Sequence, residues 1–240
     1  MGYSSNNNTI YNNYFNNTNN AYDDGNNTWN TTKTSGTNII GGPYLGGNYW
    51  SDYAGSDTNG DGLGETPYNI TGDSNKDYLP LVAATLEGHV GISPYPATDI
   101  TVRFFANGTQ NETMKDYATT DGSGNFAIGG ITVGTYDVAV KGSTSLSNLV
   151  TNVTLTVGNT TVVDFGALLE GDASGDDYID GSDYGPFSDA WLSYPGCTPP
   201  PAWDPNVDFS RDDYIDGSDY GPLSDNWLDW GDCFGWPGSW

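Results

Sequence analysis

An acidic segment that occurs twice constrains this 240-residue chain more than any other feature. Residues 176–192 (DDYIDGSDYGPFSDAWL) and 212–228 (DDYIDGSDYGPLSDNWL) agree at 15 of 17 positions with an offset of 36. Each copy places oxygen-bearing side chains at loop positions 1, 3, 5, 9 and 12. These are Asp172, Ser174, Asp176, Asp180 and Asp183, then Asp208, Ser210, Asp212, Asp216 and Asp219. Tyr178 and Tyr214 fall at position 7, where a backbone carbonyl serves. Calcium takes six to eight oxygens, and this spacing brings such a set around one centre. Four carboxylates per loop would repel strongly without a cation to neutralise them. Two calcium sites are therefore expected. His89 is the sole histidine, so imidazole-based zinc or copper sites cannot be assembled and metal chemistry must run on oxygen. A solvated acidic tail would need neither fixed ligand offsets nor the apolar period that follows each loop. Tyr184, Phe187, Trp191 and Leu192, and their counterparts Tyr220, Leu223, Trp227 and Leu228, fall at i, i+3, i+7 and i+8, one face of a helix.

This loop–helix duplication resembles the dockerin module, whose two calcium loops each lead into a helix. Dockerin loops end in Asp, and Asp183 and Asp219 agree. The family's recognition positions, next to the loop ends, correspond to Gly181-Ser182 and Gly217-Ser218. The resemblance implies a cohesin-type partner, met in two orientations related by a half turn. There are departures. Asp177 and Asp213 occupy position 6, where the sharp turn favours Gly or Asn, and the connection between copies carries an insertion with Cys197, Pro199, Pro200 and Pro201. A Cys197–Cys233 disulfide is expected; it would close a loop of about 37 residues and stabilise it by roughly 4 kcal/mol. Without calcium, residues 171–233 are expected to be largely unfolded.

A third candidate loop lies in DTNGDGLGE: Asp57, Asn59, Asp61, the Leu63 carbonyl and Glu65 at positions 1, 3, 5, 7 and 9. Position 12 is Tyr68, so closure must come from elsewhere, with Asp52 and Asp73 as candidates. A Gly-rich turn without metal is the alternative reading.

The first 50 residues hold 14 of the 25 Asn, with short apolar doublets such as Tyr14-Phe15 and Ile39-Ile40 between polar runs. A parallel solenoid reads this way, with Asn at corners where it tolerates left-handed backbone; a disordered polar tract would share the composition. The stretch NIIGGPYLGGNYWSDYAGSDTNGDGLGETPYNI, residues 38–70, resembles the C-terminal end of NosD-like parallel β-helices of archaeal surface proteins. The copper binding of part of that family is not expected here, since Met1, Met114 and His89 form no ligand cluster. From residue 84 to 170 the pattern turns to alternating strands such as DITVRFFA and NVTLTV. TTDGSGNFAIGGITVGTYDVAVKG, residues 119–142, resembles carboxypeptidase regulatory-like or Cna-B-like sandwich modules. The expected architecture is mainly β: a short parallel β-helix end and cap (1–83), an antiparallel β-sandwich (84–170) and a small α-helical dockerin-like module with a tail (171–240).

Thirty-one acidic residues against six basic ones give a net charge of -25. That excludes nucleic acid and anionic membrane surfaces as partners, both of which need clustered Lys and Arg. No run is long and apolar enough to span a membrane. The N-terminus, MGYSSNNN, has no secretion signal, which reads as a mature or truncated product. Nine N-x-T sequons, at Asn7, Asn16, Asn26, Asn30, Asn69, Asn107, Asn111, Asn152 and Asn159, exceed the roughly 2.7 that chance predicts. A secreted or cell-surface glycoprotein is expected. No catalytic residue is: the acids are committed to metal spacing, and a polysaccharide lyase would need a basic residue where the solenoid segment and its cap offer only Lys33 and Lys76. Two non-catalytic readings compete. One is a self-assembling subunit of a filament, sheath or surface layer, in contact with its own copies or other surface proteins. The other is a cargo protein docking on a cohesin. A polysaccharide-binding or -cleaving β-helix is a further alternative, with Tyr49-Trp50 or Trp236 and Trp240 as a carbohydrate platform.

Overall fold

The computed structural model describes residues 5–91, 99–197 and 201–232. Contacts divide the chain into two compact units. The first holds Met1–Glu87, Ile128–Thr135 and Thr154–Val162, and the second Gly88–Ala127, Tyr136–Val153 and Val163–Trp240. The fold is mainly β, with two α-helices among the described residues.

Eight two-residue strands mark the first unit: β1 (Tyr14–Phe15), β2 (Tyr22–Asp23), β3 (Thr34–Ser35), β4 (Tyr44–Leu45), β5 (Tyr49–Trp50), β6 (Tyr68–Asn69), β7 (Thr71–Gly72) and β8 (Lys76–Asp77). Pairing between distant turns is parallel. β1 lies beside β5 and β2 beside β7, with single bridges at Thr9–Thr28 and Tyr49–Leu81. Between these turns the side chains form ladders. Asn8 donates to Asn27 and Asn13 to Asn48, both at 2.9 Å, while Asn7 and Asn12 take left-handed backbone. The aromatic doublets stack likewise, Tyr14 on Tyr49 at 4.4 Å and Phe15 on Trp50 on Tyr68 at 4.4 and 4.2 Å. So short an apolar stretch needs a polar anchor, and Asp77, fully buried, supplies one. Its carboxylate accepts from the Asn48 backbone (2.7 Å), the Trp50 indole (2.9 Å) and the Leu79 backbone (3.0 Å). A side chain at Gly47 would sit 1.9 Å from that carboxylate, so only glycine fits there. Trp50 is 1 % exposed, so burial within this stack overturns the expectation of a carbohydrate platform at Tyr49-Trp50. Trp236 and Trp240 lie outside the described residues.

Seven longer strands follow: β9 (Ala84–Gly91), β10 (Asp99–Ala106), β11 (Glu112–Thr119), β12 (Asn125–Ile131), β13 (Gly134–Gly142), β14 (Asn148–Leu155) and β15 (Thr160–Ala167). They form a four-stranded sheet, β11-β10-β13-β14, and a three-stranded one, β12-β9-β15. Pairing of β10 with β11 and with β13 is antiparallel. The alternation in NFAIGGI and TTVVDF buries Phe126, Ile128, Val163 and Phe165 and exposes their neighbours, as a half-buried strand requires. The second unit continues into helices α1 (Gly181–Ala190) and α2 (Gly217–Asp225). Among the described residues no helix is long and apolar enough to cross a membrane.

Candidate metal loops and the helix pair

Position 1 organises each candidate loop. Asp172 accepts from the N–H of Gly175 (2.7 Å), Asp176 (3.2 Å) and Asp177 (2.9 Å), and Asp208 from Asp212 (3.2 Å) and Asp213 (3.1 Å). Asp57 does the same with Gly60 (2.8 Å), Asp61 (3.1 Å) and Gly62 (2.6 Å). Position 5 then accepts from the N–H of position 7 in all three: Asp176 from Tyr178 (3.1 Å), Asp212 from Tyr214 (3.0 Å) and Asp61 from Leu63 (2.9 Å). Position 6 is left-handed throughout, with φ 70° at Asp177, 64° at Asp213 and 86° at Gly62. Aspartate is one of the few residues besides glycine that enters this region readily. The departure at position 6 thus leaves the turn intact.

Closure differs between the loops. Asp183 accepts from the N–H of Ser174 and of Asp180, both at 2.8 Å; Asp219 repeats this with Ser210 (2.7 Å) and Asp216 (2.9 Å). The Ser174 hydroxyl also meets Asp172 at 3.4 Å and that of Ser210 meets Asp208 at 3.3 Å, so positions 1 and 12 converge on position 3. Burial pushes Asp183 and Asp208 above the ordinary aspartate value, and the neighbouring Asp219 charge adds to the shift at Asp208. Asp180 and Asp216 cap the helices, accepting from the N–H and hydroxyl of Ser182 and Ser218, which holds both below the ordinary value. In the third loop Glu65 does the closing, accepting from Thr58 N–H (2.9 Å) and the Asn59 amide (2.6 Å). Asp52 instead receives Asn20 (2.6 Å) and the Tyr68 hydroxyl (3.0 Å), and Asp73 is exposed. Lys33 forms an ion pair with Asp61. Burial alone would raise Asp61; the Lys33 bond and the Leu63 N–H outweigh it and hold the group low.

Among the described residues, no three His, Cys, Asp or Glu side chains cluster in a way that could hold a metal. Each duplicated loop gathers two carboxylates and a serine hydroxyl, while its other acids accept nearby N–H groups. The donors are all oxygen, in the order and turn that a hard cation uses, which fits calcium and not a softer metal.

The two copies also build one small core. Ile179 and Ile215, at position 8, are both fully buried and join Leu146, Phe187, Ala190, Val207, Phe209 and Leu223. Backbone bonds cross between copies: Leu192 N–H to Ile215 O and Leu228 N–H to Ile179 O, both 2.9 Å. Of the eight residues on the expected apolar face, only Phe187 and Leu223 are buried. The helices stop at Ala190 and Asp225, and Leu192 and Leu228 turn left-handed (φ 64° and 68°), so the period breaks before Trp191 and Trp227. What remains is an exposed set in matched pairs: Tyr184 and Tyr220 at 47 and 49 %, Trp191 and Trp227 at 39 and 43 %. Two shallow pockets share Tyr184 and Tyr220; one is completed by Trp227 and the other by Trp191. Gly181-Ser182 and Gly217-Ser218 are exposed on the first helical turns.

Residues missed in the sequence surround the first loop. Lys141, on β13 and 1 % exposed, forms an ion pair with Asp172, donates to the Ser145 carbonyl and lies 3.9 Å from Asp177. Ser147 donates its N–H (2.7 Å) and hydroxyl (2.6 Å) to Asp177, and burial pushes that carboxyl up. Glu170 receives Thr144 (2.6 Å) and Arg211 (2.8 Å). The available signal was a single lysine closing the apolar run VAVKG. Eight sequon asparagines are exposed and Asn30 is partly so. Cys197 is described, but Cys233, and with it the expected disulfide, lies outside the described residues.

Residues 2–55 match the family model described as periplasmic copper-binding protein (NosD). No curated protein matches the chain significantly. Two similar solved structures are mutants of a type II cohesin–X–dockerin complex from Acetivibrio cellulolyticus, one altered at the C-terminal and one at the N-terminal interface. They cover 62 % of this chain and 98 % of theirs, at 20 and 21 % identity and TM-scores of 0.49 and 0.48.

Proposed function

We propose that this is a non-catalytic, calcium-stabilised extracellular glycoprotein that docks through its C-terminal helix pair onto a cohesin-type protein. The paired exposure of Tyr184 with Tyr220 and Trp191 with Trp227 carries the reading, because solvated large aromatics grouped around shallow pockets mark interaction surfaces. The near identity of the copies supports two docking orientations. In each loop positions 1, 3, 5, 9 and 12 hold the ion with the position-7 carbonyl. The ion neutralises acids that the metal-free loop must turn onto backbone N–H groups. Asp57, Asn59, Asp61, Leu63 and Glu65 form a third, weaker loop, shared with Lys33. The accessible sequons support a glycosylated, extracellular chain. Calorimetric titration with purified cohesin modules, in calcium and in chelator, tests the proposal. Saturable binding in calcium alone is expected; no binding in either condition overturns docking. Hydrolysis or elimination of an acidic glycan would overturn the non-catalytic reading.

A second reading, self-assembly, rests on one observation: among the described residues β1 has a single strand partner, β5, and a strand with one partner can take a neighbour's strand on its other edge. Negative-stain images showing calcium-dependent polymers would favour it, and monodisperse particles in calcium and in chelator would exclude it.

A further inference from the structure

The two duplicated loops are alike in sequence and hydrogen bonding, yet only one has a cation built in behind it. Lys141 arrives from the sheet, not from the repeat, and its ammonium is shut away from water against Asp172, the Ser145 carbonyl and, at 3.9 Å, Asp177. Glu170 and Arg211 pair with one another beside it. Behind Asp208 there is no counterpart among the described residues. Among the described residues Asp208 makes no ion pair, Arg211 in the same loop points its guanidinium to Glu170, and Asp213 is exposed where Asp177 is held by Ser147. A buried carboxylate without a counter-charge is costly, so whatever neutralises position 1 decides whether the loop keeps its shape. In the first loop the chain supplies part of that charge itself; in the second only an ion can.

We infer that Lys141 is a resident counter-ion that keeps the first loop folded without calcium, so that only the second loop takes its shape from the ion. The inference rests on the calcium reading above and narrows it: metal removal unfolds residues 208–219 first, not the whole of 171–233. It also makes Lys141 a positioning residue, since its charge fixes Asp172 and repels a divalent ion placed on the same carboxylate.

Hydrogen exchange on the whole protein tests this without an activity readout. The N–H groups of Asp176, Asp177 and Tyr178 make the same bonds as those of Asp212, Asp213 and Tyr214. In chelator the first set is expected to exchange at least about tenfold more slowly than the second, and calcium to slow the second most. Lys141→Met should abolish the difference in chelator and leave calcium able to protect both loops. Ser147→Ala, which removes the hydroxyl bond to Asp177 and keeps the N–H bond, should reduce the difference if the lysine variant does not fold. Equal exchange of both loops in chelator, with calcium protecting both, overturns the inference alone. Exchange that calcium leaves unchanged in both loops overturns the calcium reading beneath it.

Discussion

Asp183→Ala separates what the loop contributes by itself from what the ion adds. The Asp183 carboxylate is fully buried and receives the N–H groups of Ser174 and Asp180, both at 2.8 Å. Truncation leaves two backbone donors without a partner, at about 1–2 kcal/mol each, and removes one half of the cap on α1. The metal-free cost is therefore about 2–4 kcal/mol, or a fall of about 5–15 °C in melting temperature. In calcium a second loss is added. An ion at a hundred times its dissociation constant stabilises by about 2.7 kcal/mol, so losing one of two ions removes about that much more. In the duplicated loops the variant should bind one ion where the parent binds two, and its calcium-induced rise in melting temperature should be smaller. Asp219→Ala, with the same two bonds from Ser210 and Asp216, should match it in stoichiometry. Calorimetry that still counts two ions in Asp183→Ala would refute the placing of position 12 in the coordination shell, whatever the change in stability.

Tyr184→Ala combined with Trp227→Ala should weaken cohesin binding at least about a hundredfold while shifting the melting temperature by less than about 3 °C, because both residues are close to half exposed; an unchanged affinity by calorimetry would place docking elsewhere. Asp77 offers a pH test in the first unit. Burial holds its carboxyl above the ordinary 3.8 despite the bonds from Trp50, Asn48 and Leu79, so the folded form binds its proton more readily than the unfolded chain. The stability this gives is complete below 3.8 and is lost as pH rises through the raised folded value, a slope that melting curves of Asp77→Asn should lack. In protein taken from its own host, peptide mass spectrometry should find glycan on Asn107 and Asn111, exposed near the β10–β11 turn; nine bare sequons would count against the extracellular reading.

The shape of the duplicated loops was readable because their hydrogen bonds are local. Positions 1, 5 and 7 are tied by bonds between residues two to five apart, so the spacing of Asp, Ser and Tyr already fixes the turn. The ladders of Asn8 on Asn27 and Asn13 on Asn48 were readable only as a composition, since their partners stand 19 and 35 residues away. The helices are shorter than the apolar period suggests for a related reason. The apolar period ran on through Trp191 and Leu192, but Leu192 turns left-handed to bond Ile215 of the other copy, and a helical period cannot register a strand-like bond from elsewhere. Lys141 was invisible as a site residue because its role depends on Asp172, 31 positions later, folding back on β13.

Duplication makes equal sequences, but equal sequences become equal sites only if their surroundings are also repeated. Here the repeat spans the loops and helices and stops short of the sheet, so the half that adjoins β13 and Ser147 acquires partners which the other half cannot copy. The cross-bonds of Ile179 and Ile215 still tie both loops to one core. If Lys141 braces the first loop and the second is left to the ion, calcium acts on half of the module. The exposed pairs, Tyr184 with Tyr220 and Trp191 with Trp227, match only when both halves are in place. On the proposed reading a calcium requirement for docking follows from the second loop alone, and titrating the ion should switch binding with a stoichiometric weight of one even with two candidate loops.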